Sequence, residues 1–337
     1  MNLLFLLLVL SGTNCIVGAS QPDSLILYGI DQSIRQNYAS AESTFTRLIN
    51  ESPEHPRGYF FLAATLQSKS MDFETDIWED EFILTLDKAE NRARKLLRIN
   101  DEDEWARFYL GSALSYRAFY DGKKNRFVSA IKRGLAGISE LNKVIAIDST
   151  MYDAYLGIGS YKYWRSKFTR YLDWLPLIKD ERELGIKMVK LAAEKGTYTK
   201  YAAINALVWI LIDHGDVSEA LKWVLKGLSK YPQSRFFLWG AAKTYFNLQQ
   251  YDNAIKYYQN ILGTVQQEKL NNHYNEIICY YKIAECHFKL QQHDQAALTL
   301  EKIRSFEIES KIRDRLKDIY SKSEELQKKL DALGSNK

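Results

Sequence analysis

Apolar residues recur three and four residues apart from about residue 22 to residue 333, which predicts helices throughout. We find no strand-like alternation of useful length. The clearest register joins HGDVSEALKWVLKGLSKYP to LQQYDNAIKYYQNIL, in which Ala220 and Ala254 lie 34 residues apart. A fixed period of that length predicts stacked helix–turn–helix units.

The same pattern extends to both ends of the chain and predicts seven helix pairs followed by a charged helix at 310–333. The pairs are predicted at 22–53, 56–99, 104–147, 152–196, 201–232, 235–262 and 277–303. Pairs two to four look degenerate and longer than the others. Because an open array needs a cap with a polar outer face, we expect a repeat array at 20–304 and a C-terminal capping helix with a frayed tail at 305–337.

The fifth and sixth pairs resemble the tetratricopeptide repeat. The fifth pair carries the family's small and apolar positions at Leu207, Val208, Leu211, Ala220, Val224 and Gly227, with Pro232 at the terminal proline position. The sixth carries them at Leu238, Ala241, Ala242, Tyr245, Tyr251, Ala254, Tyr258 and Ile261. The resemblance implies an all-α, right-handed solenoid of about seven helix pairs.

In that family the first helices of successive pairs line a concave groove that binds a protein or peptide. Carried onto this chain, the groove positions are Asn205, Trp209, Ile212, Phe236, Trp239, Lys243, Phe246 and Tyr281, with Trp105, Phe108, Tyr116 and Trp164 from the less regular pairs. A groove rich in Trp and Phe suits apolar or extended peptide segments. Some members grip a C-terminal carboxylate instead, but Trp209 stands where that clamp has an asparagine.

Composition limits the classes of protein that the chain can belong to. The 46% hydrophobic and 26% charged residues are typical of a folded, soluble protein. A net charge of +4, spread without a block of like charges, argues against a nucleic-acid partner. Cys279 and Cys286 lie seven residues apart on one predicted helix, about 10.5 Å by helical rise. That separation exceeds disulfide reach, so we expect two buried free thiols.

The N-terminus predicts export. Leu3–Leu10 is an unbroken apolar run, and Val17-Gly18-Ala19 has small residues where a signal peptidase needs them. We expect a signal peptide at 1–19, cleaved after Ala19, and a periplasmic or secreted protein. No Lys or Arg precedes the run, which departs from the usual signal. Lipidation at Cys15 is disfavoured because Gly12 and Asn14 do not fit a lipoprotein signal.

The residues offer little support for catalysis or a cofactor. The acidic insertion MDFETDIWEDEF lacks the glycine and the glutamate of a calcium loop, so we interpret it as a solvated loop. The chain has no nucleophile elbow, no phosphate-binding loop and no ligand set at zinc spacing. We therefore predict no catalytic residue, no metal and no cofactor.

The most unusual stretch is SYKYWRSKFTRYLDWLP at 160–176, where six aromatic residues interleave with four basic ones. It is either a docking surface for a partner or membrane, or a lengthened helix that packs its aromatics. The second interpretation is favoured, and helical spacing then predicts that Tyr161, Trp164, Phe168 and Tyr171 are buried.

The predicted function is a non-enzymatic interaction scaffold or adaptor that binds a partner along its groove. Two alternatives stay open. One is a peripheral membrane-associated envelope protein that uses residues 160–176. The other is an envelope enzyme built on a helical toroid, which acidic residues with His in the groove would support.

Overall fold

The computed structural model describes residues 23–169 and 179–334. In these two ranges the chain forms sixteen helices and no strand, which confirms the predicted all-α solenoid of seven helix pairs with a C-terminal cap. The helices are α1 (Ser24–Ile34), α2 (Tyr38–Glu51), α3 (Pro56–Asp72), α4 (Glu79–Ile99), α5 (Glu104–Lys123), α6 (Phe127–Ile147), α7 (Ala154–Thr169), α8 (Arg182–Lys195), α9 (Lys200–His214), α10 (Val217–Lys230), α11 (Arg235–Asn247), α12 (Tyr251–Val265), α13 (Tyr274–Lys289), α14 (His293–Arg304), α15 (Ser310–Arg315) and α16 (Lys317–Gly334). The expected signal peptide lies outside the described residues.

The helices form two layers. Each helix from α1 to α13 packs against the next one, and the odd-numbered helices from α1 to α11 also contact one another in succession. The odd-numbered helices therefore form one continuous layer, and the even-numbered helices form a second layer behind it. Within the described residues, no helix is long and apolar enough to cross a membrane.

The same type of turn connects the two helices of every pair for which the structure describes the connection. Gly215 has a φ of 103° there, and the five other pairs place a non-glycine residue with a φ between 51° and 62° at this position. The next N–H donates to the carbonyl five residues earlier, as from Asp216 to Leu211 at 2.9 Å. This is the Schellman arrangement, which satisfies the last carbonyls of a helix. The non-glycine residues are Gln36, Glu74, Asn125, Gln249 and Gln291.

Pairs two to four are regular but lengthened. The small residues at the helix contact lie 12 residues apart in the sixth pair, at Ala242 and Ala254. The equivalent residues lie 26 apart in the second, third and fourth pairs, at Ala63 and Ala89, Gly111 and Gly137, and Gly159 and Gly185. In the third pair, two extra turns in α5 and two in α6 account for the difference, about 10 Å of additional length. These pairs are therefore longer than the regular ones, as the sequence predicted, and each keeps small residues at the helix contact.

The solenoid winds far enough for its first pairs to contact its last ones. Arg235, at the start of α11, is 3% exposed and donates to both carboxylate oxygens of Asp72 at 2.7 and 2.5 Å. It also donates to Glu268 at 2.8 Å. Ser234 donates to the carbonyl of Ile34 at 2.6 Å. Hydrogen bonds and ion pairs thus join the ends of α1 and α3 to the start of α11, and Glu268 in the segment before α13 joins the same cluster.

These contacts show that the acidic insertion, interpreted as a solvated loop, is solvated only in part. Besides Asp72, Glu74 pairs with Arg315 of α15. Asp76 lies 3.1 Å from Lys124 and 3.6 Å from Lys311. The insertion thus pairs with cations from the start of α11, from α15 and from the turn after α5.

The C-terminal cap differs in detail from the single predicted helix. The chain breaks at Leu316, which is fully buried, so that α15 and α16 are separate helices. The second of them, α16, packs on α13 and α14 and buries Leu326 and Leu330 in the same cluster as Tyr281. A break lets the chain bury Leu316 and still turn α16 across the end of the array.

The two cysteines of the described chain behave as their spacing predicts. Cys279 and Cys286 are buried free thiols. Burial raises the pKa of Cys286 to about 12, and it also raises the pKa of Cys279. Neither thiol is available as a thiolate at neutral pH.

Candidate functional site

Seven predicted groove residues lie on α9 and α11, two adjacent helices of the odd-numbered layer. On α9 the spacing of four or three residues puts Asn205, Trp209 and Ile212 on one face. On α11 the same spacing aligns Phe236, Trp239, Lys243 and Phe246. Trp209 is 37% exposed, and the others are partly buried. We call this surface, together with its neighbour Trp164 on α7, the odd-layer groove.

The groove aromatics rest on the layer behind them. Trp239 meets Tyr258 of α12 edge-on, with ring centroids 6.2 Å apart. Phe246 meets Tyr251 of the same helix at 5.6 Å. Asn205 adds a polar group, because its buried side-chain oxygen has no hydrogen-bond partner among the described residues. The rings of Trp239 and Phe246 are thus held in place by α12, and the side-chain oxygen of Asn205 is an unused hydrogen-bond acceptor beside them.

Two lysines flank the ring of Phe246. The ammonium groups of Lys243 and Lys282 lie 5.4 and 5.3 Å from its centroid. Lys282 pairs with Glu285 at 2.7 Å, whereas the described residues place no carboxylate within salt-bridge distance of Lys243. Burial lowers the pKa of Lys243, and the positive charge of Lys282 lowers it further. The site thus contains a partly desolvated cation without an anion.

Trp164 lies at the edge of the groove where α7 meets α9. Its ring stacks on Phe168 at 6.1 Å, and the ammonium of Lys167 lies 5.4 Å from it. Lys167 pairs with Asp213 of α9, which also accepts a hydrogen bond from Tyr163 at 2.7 Å. These contacts join Trp164 to the Ile212 end of α9.

The expected burial within residues 160–176 is only partly right. Phe168 is 67% exposed, whereas Tyr163, which was not expected in the core, is 1% exposed. Tyr163 takes the inward position because its hydroxyl reaches Asp213. Tyr161 and Trp164 are partly buried, and Tyr171 and Trp174 lie outside the described residues.

Four other predicted groove residues pack against neighbouring parts of the protein. Tyr281 is 7% exposed because α16 covers its side of α13. Phe108 is 2% exposed, and Trp105 packs on Tyr198 with centroids 5.5 Å apart. Tyr116 packs edge-on against Phe60. The cap covers the predicted groove residue on α13, and the loop before α9 covers one on α5. The predicted groove residues that are left lie on α7, α9 and α11.

Sequence reasoning missed Lys282 and Glu285. Lys282 stands beside the predicted Tyr281, and Glu285 follows it by one helical turn. The eight-residue insertion before α13 obscured the register of that helix. A search for opposite charges one turn apart on it would have found the pair.

Comparison with known proteins supports the repeat architecture. The tetratricopeptide repeat family model matches residues 236–306. No curated protein sequence matches the chain.

Two solved structures show similar folds. One is the Cut9–Hcn1 hetero-tetramer of the APC/C, with 13% identity over 93% of this chain and 53% of that chain and a TM-score of 0.54. The other is a monomeric mutant of IFIT1 with Gppp-AAAA, with 11% identity over 86% of this chain and 61% of that chain and a TM-score of 0.50. The chain thus spans about half the length of the first structure, and the similarity to both is one of fold.

Proposed function

Since the chain is a tetratricopeptide-repeat protein, we propose that it is a non-enzymatic scaffold that binds a protein or peptide along the odd-layer groove. Helical repeat arrays bind partners along their extended surfaces. The bound segment is extended or helical, places apolar side chains on Trp209 and Trp239, and presents an acidic group to Lys243. Binding works by shape, apolar contact and charge, with no covalent step.

The observation that carries this proposal is the environment of Lys243. A cation that loses water without gaining an anion costs free energy in the unbound protein. A carboxylate from a partner would offset that cost and would gain strength from the partly dry surroundings. The exposed ring of Trp209 lies on the adjacent helix, where it supplies the apolar contact that typically dominates binding energy.

The charges in the groove favour a peptide over a nucleic acid. Lys167 and Lys282 are each paired with a carboxylate, Asp213 and Glu285. One unpaired lysine beside two carboxylates is a poor surface for a polyanion, whose affinity rests on many phosphate contacts. A peptide with one acidic residue among apolar ones fits the same charges.

We further propose that the protein acts outside the cytoplasm, in the periplasm or after secretion. The apolar run Leu3–Leu10 and the small residues before Ser20 support this. Mass spectrometry of the protein from its own cells is expected to find Ser20 as the first residue. A chain that keeps Met1 would contradict the proposal.

Site-specific photo-crosslinking tests the groove. With p-benzoylphenylalanine in place of Trp209, we expect one discrete adduct in cells that express the full chain. Lys256 is exposed on α12 in the other layer, and a crosslinker there serves as the control. An adduct from both positions, or from neither, would contradict binding in the groove.

The charge of Lys243 gives the matched affinity test. With the captured partner purified, Lys243→Met is expected to weaken binding by about tenfold, because a charge-assisted hydrogen bond is lost. Lys256→Met removes the same charge from the other layer and is expected to leave the affinity unchanged. Equal effects of the two variants would show that the partner binds elsewhere.

A further inference from the structure

The hairpin tip of the third pair carries large apolar side chains that are mostly exposed to solvent. Phe127, Ile131 and Leu135 follow one another at four-residue spacing on α6, so they share one face with Val128 beside them. We call these four residues the α6 apolar face. They are 63%, 64%, 53% and 84% exposed in that order, and Phe119 at the end of α5 is 53% exposed. Soluble proteins rarely leave so many large apolar side chains together in water.

The lengthening of the third pair explains why this face is free. The extra turns of α5 and α6 extend the hairpin beyond the regular helix contacts. Within the hairpin, small residues meet at the interface. A side chain added at Gly134 would lie 3.7 Å from Ala118, and one added at Gly122 would lie 3.9 Å from Ala130. The large apolar residues are thus left on the outer side of α6.

The hairpin tip is also positively charged. Lys123 and Lys132 are exposed and have no ion pair among the described residues. Arg126 is 55% exposed, and the nearest carboxylate, 3.7 Å away, is the buried Asp121. Asp121 is satisfied from inside the hairpin by Arg133 at 2.6 Å and by Ser129 at 2.7 Å.

The carboxylates of the neighbouring hairpin, which lies within the described residues, pair with one lysine of the tip and form no ion pair with Lys123, Arg126 or Lys132. The carboxylates Asp76 and Glu79 reach Lys124, at 3.1 and 2.6 Å. Glu140, the next carboxylate along α6, pairs with Arg107 and Lys143. The α6 apolar face is therefore bordered by three exposed cations.

We propose that this hairpin tip docks on an anionic phospholipid surface. An apolar helix face bordered by Lys and Arg is the pattern that inserts at the headgroup boundary of a bilayer. The α6 apolar face enters the acyl region, and Lys123, Arg126 and Lys132 contact lipid phosphates. Docking uses a different element from the odd-layer groove, so it would hold the scaffold at a membrane while the groove binds its partner.

A local probe tests this proposal on the full chain. In a Cys15→Ser background, an environment-sensitive dye is attached to Val128→Cys, and the two buried cysteines stay unlabelled. With vesicles of phosphatidylcholine and phosphatidylglycerol in equal parts, we expect a blue shift and brighter emission. Both changes should disappear in high salt and with phosphatidylcholine alone. The same dye at Lys256→Cys should not respond, which separates the tip from an effect of the apolar N-terminal run.

Matched charge variants complete the test. Each cation near an anionic surface strengthens binding by about fivefold, so Lys123→Glu with Lys132→Glu is expected to weaken vesicle binding by about twentyfold or more. Lys256→Glu with Lys269→Glu makes the same change of net charge at exposed positions elsewhere and should have little effect. Equal losses in both variants, or a dye at residue 128 that does not respond, would overturn the proposal.

Sedimentation of the unlabelled chain distinguishes the other occupants. A dimer that Phe127→Ser dissociates would assign the α6 apolar face to a second copy and would overturn lipid docking. A monomer, together with a lipid response at residue 128, supports it.

Discussion

At the scale of residues, Glu276 shows how the inserted loop before α13 is held. Its side chain is buried and accepts hydrogen bonds from Gln266 at 2.9 Å and Asn271 at 2.6 Å. The ring nitrogen Nδ1 of His273 lies 2.7 Å from it. Burial acts to raise the pKa of Glu276, but the hydrogen bonds from His273, Gln266 and Asn271 outweigh burial and lower the pKa. The folded protein therefore stabilises the ionised carboxylate.

The sign of this shift predicts acid sensitivity. A carboxyl group with a depressed pKa in the folded state stabilises the fold above its unfolded pKa, about 4.3. That contribution is lost as the pH falls through the folded value. Glu276→Gln is expected to lower the urea midpoint at pH 7 and to flatten its dependence on pH below about 5.

The exposed Glu307 provides the matched control, since Glu307→Gln makes the same change at a site without a hydrogen bond among the described contacts. It should leave the urea midpoint and its pH dependence unchanged. A steep acid transition that persists in Glu276→Gln would show that other carboxylates determine it.

At the scale of elements, the spacing of small residues determines how close the two helices of a pair can lie. A side chain added at Gly185 of α8 would lie 2.6 Å from the carbonyl oxygen of Gly159 and 2.8 Å from the amide nitrogen of Tyr163. Both atoms belong to the backbone of α7, so they cannot move without moving the helix. The fourth pair therefore requires glycine at both positions.

Gly185→Ala is expected to lower the free energy of unfolding by about 1–3 kcal/mol, because α7 and α8 must separate. Gly263→Ala on α12 is the control, since nothing lies within 4 Å of the added carbon there. The control should be neutral or should stabilise by up to about 1 kcal/mol through higher helix propensity. Urea unfolding measures both, and equal effects would refute the close approach.

At the scale of the whole molecule, the contact between the first and last pairs makes the solenoid more than a linear array. In a linear array each repeat contacts only its neighbours, and distant repeats unfold independently. Here Arg235 binds Asp72 across 163 positions of sequence, and Asn275 donates to the carbonyl of Asp72 at 2.7 Å. We expect the two ends to unfold together.

Arg235→Met tests this coupling. It leaves the largely buried carboxylate of Asp72 without a cation, which should cost about 3 kcal/mol. Hydrogen exchange should then increase in α1–α3 and in α11–α13 at the same time. Arg94→Met removes an exposed arginine paired with Glu90 at 2.8 Å and should cost about 0.5 kcal/mol with no distant effect. Faster exchange confined to α11 would show that the contact does not couple the ends.

Periodicity and small residues in the sequence by themselves determined the helices, their pairing and the free thiols. These features rest on contacts within one pair or between adjacent pairs, and such contacts leave a regular spacing along the chain. The resemblance to the tetratricopeptide repeat, rather than the spacing alone, assigned Trp209 and Lys243 to one predicted surface. The periodicity of the cap does not show which helix it covers, and the loop before α9 has no periodicity, which is why Tyr281 and Phe108 are buried although they were predicted to line the groove.

Only the tertiary structure decided how far the array winds. Whether Asp72 faces water or Arg235 depends on small rotations accumulated over several helix pairs, and no local pattern encodes their sum. The same holds for the α6 apolar face: its residues are visible in the sequence, but their exposure follows from where the lengthened hairpin ends relative to its neighbours. Contacts between adjacent helices can thus be predicted from the sequence, whereas contacts between distant pairs depend on the geometry of the whole chain.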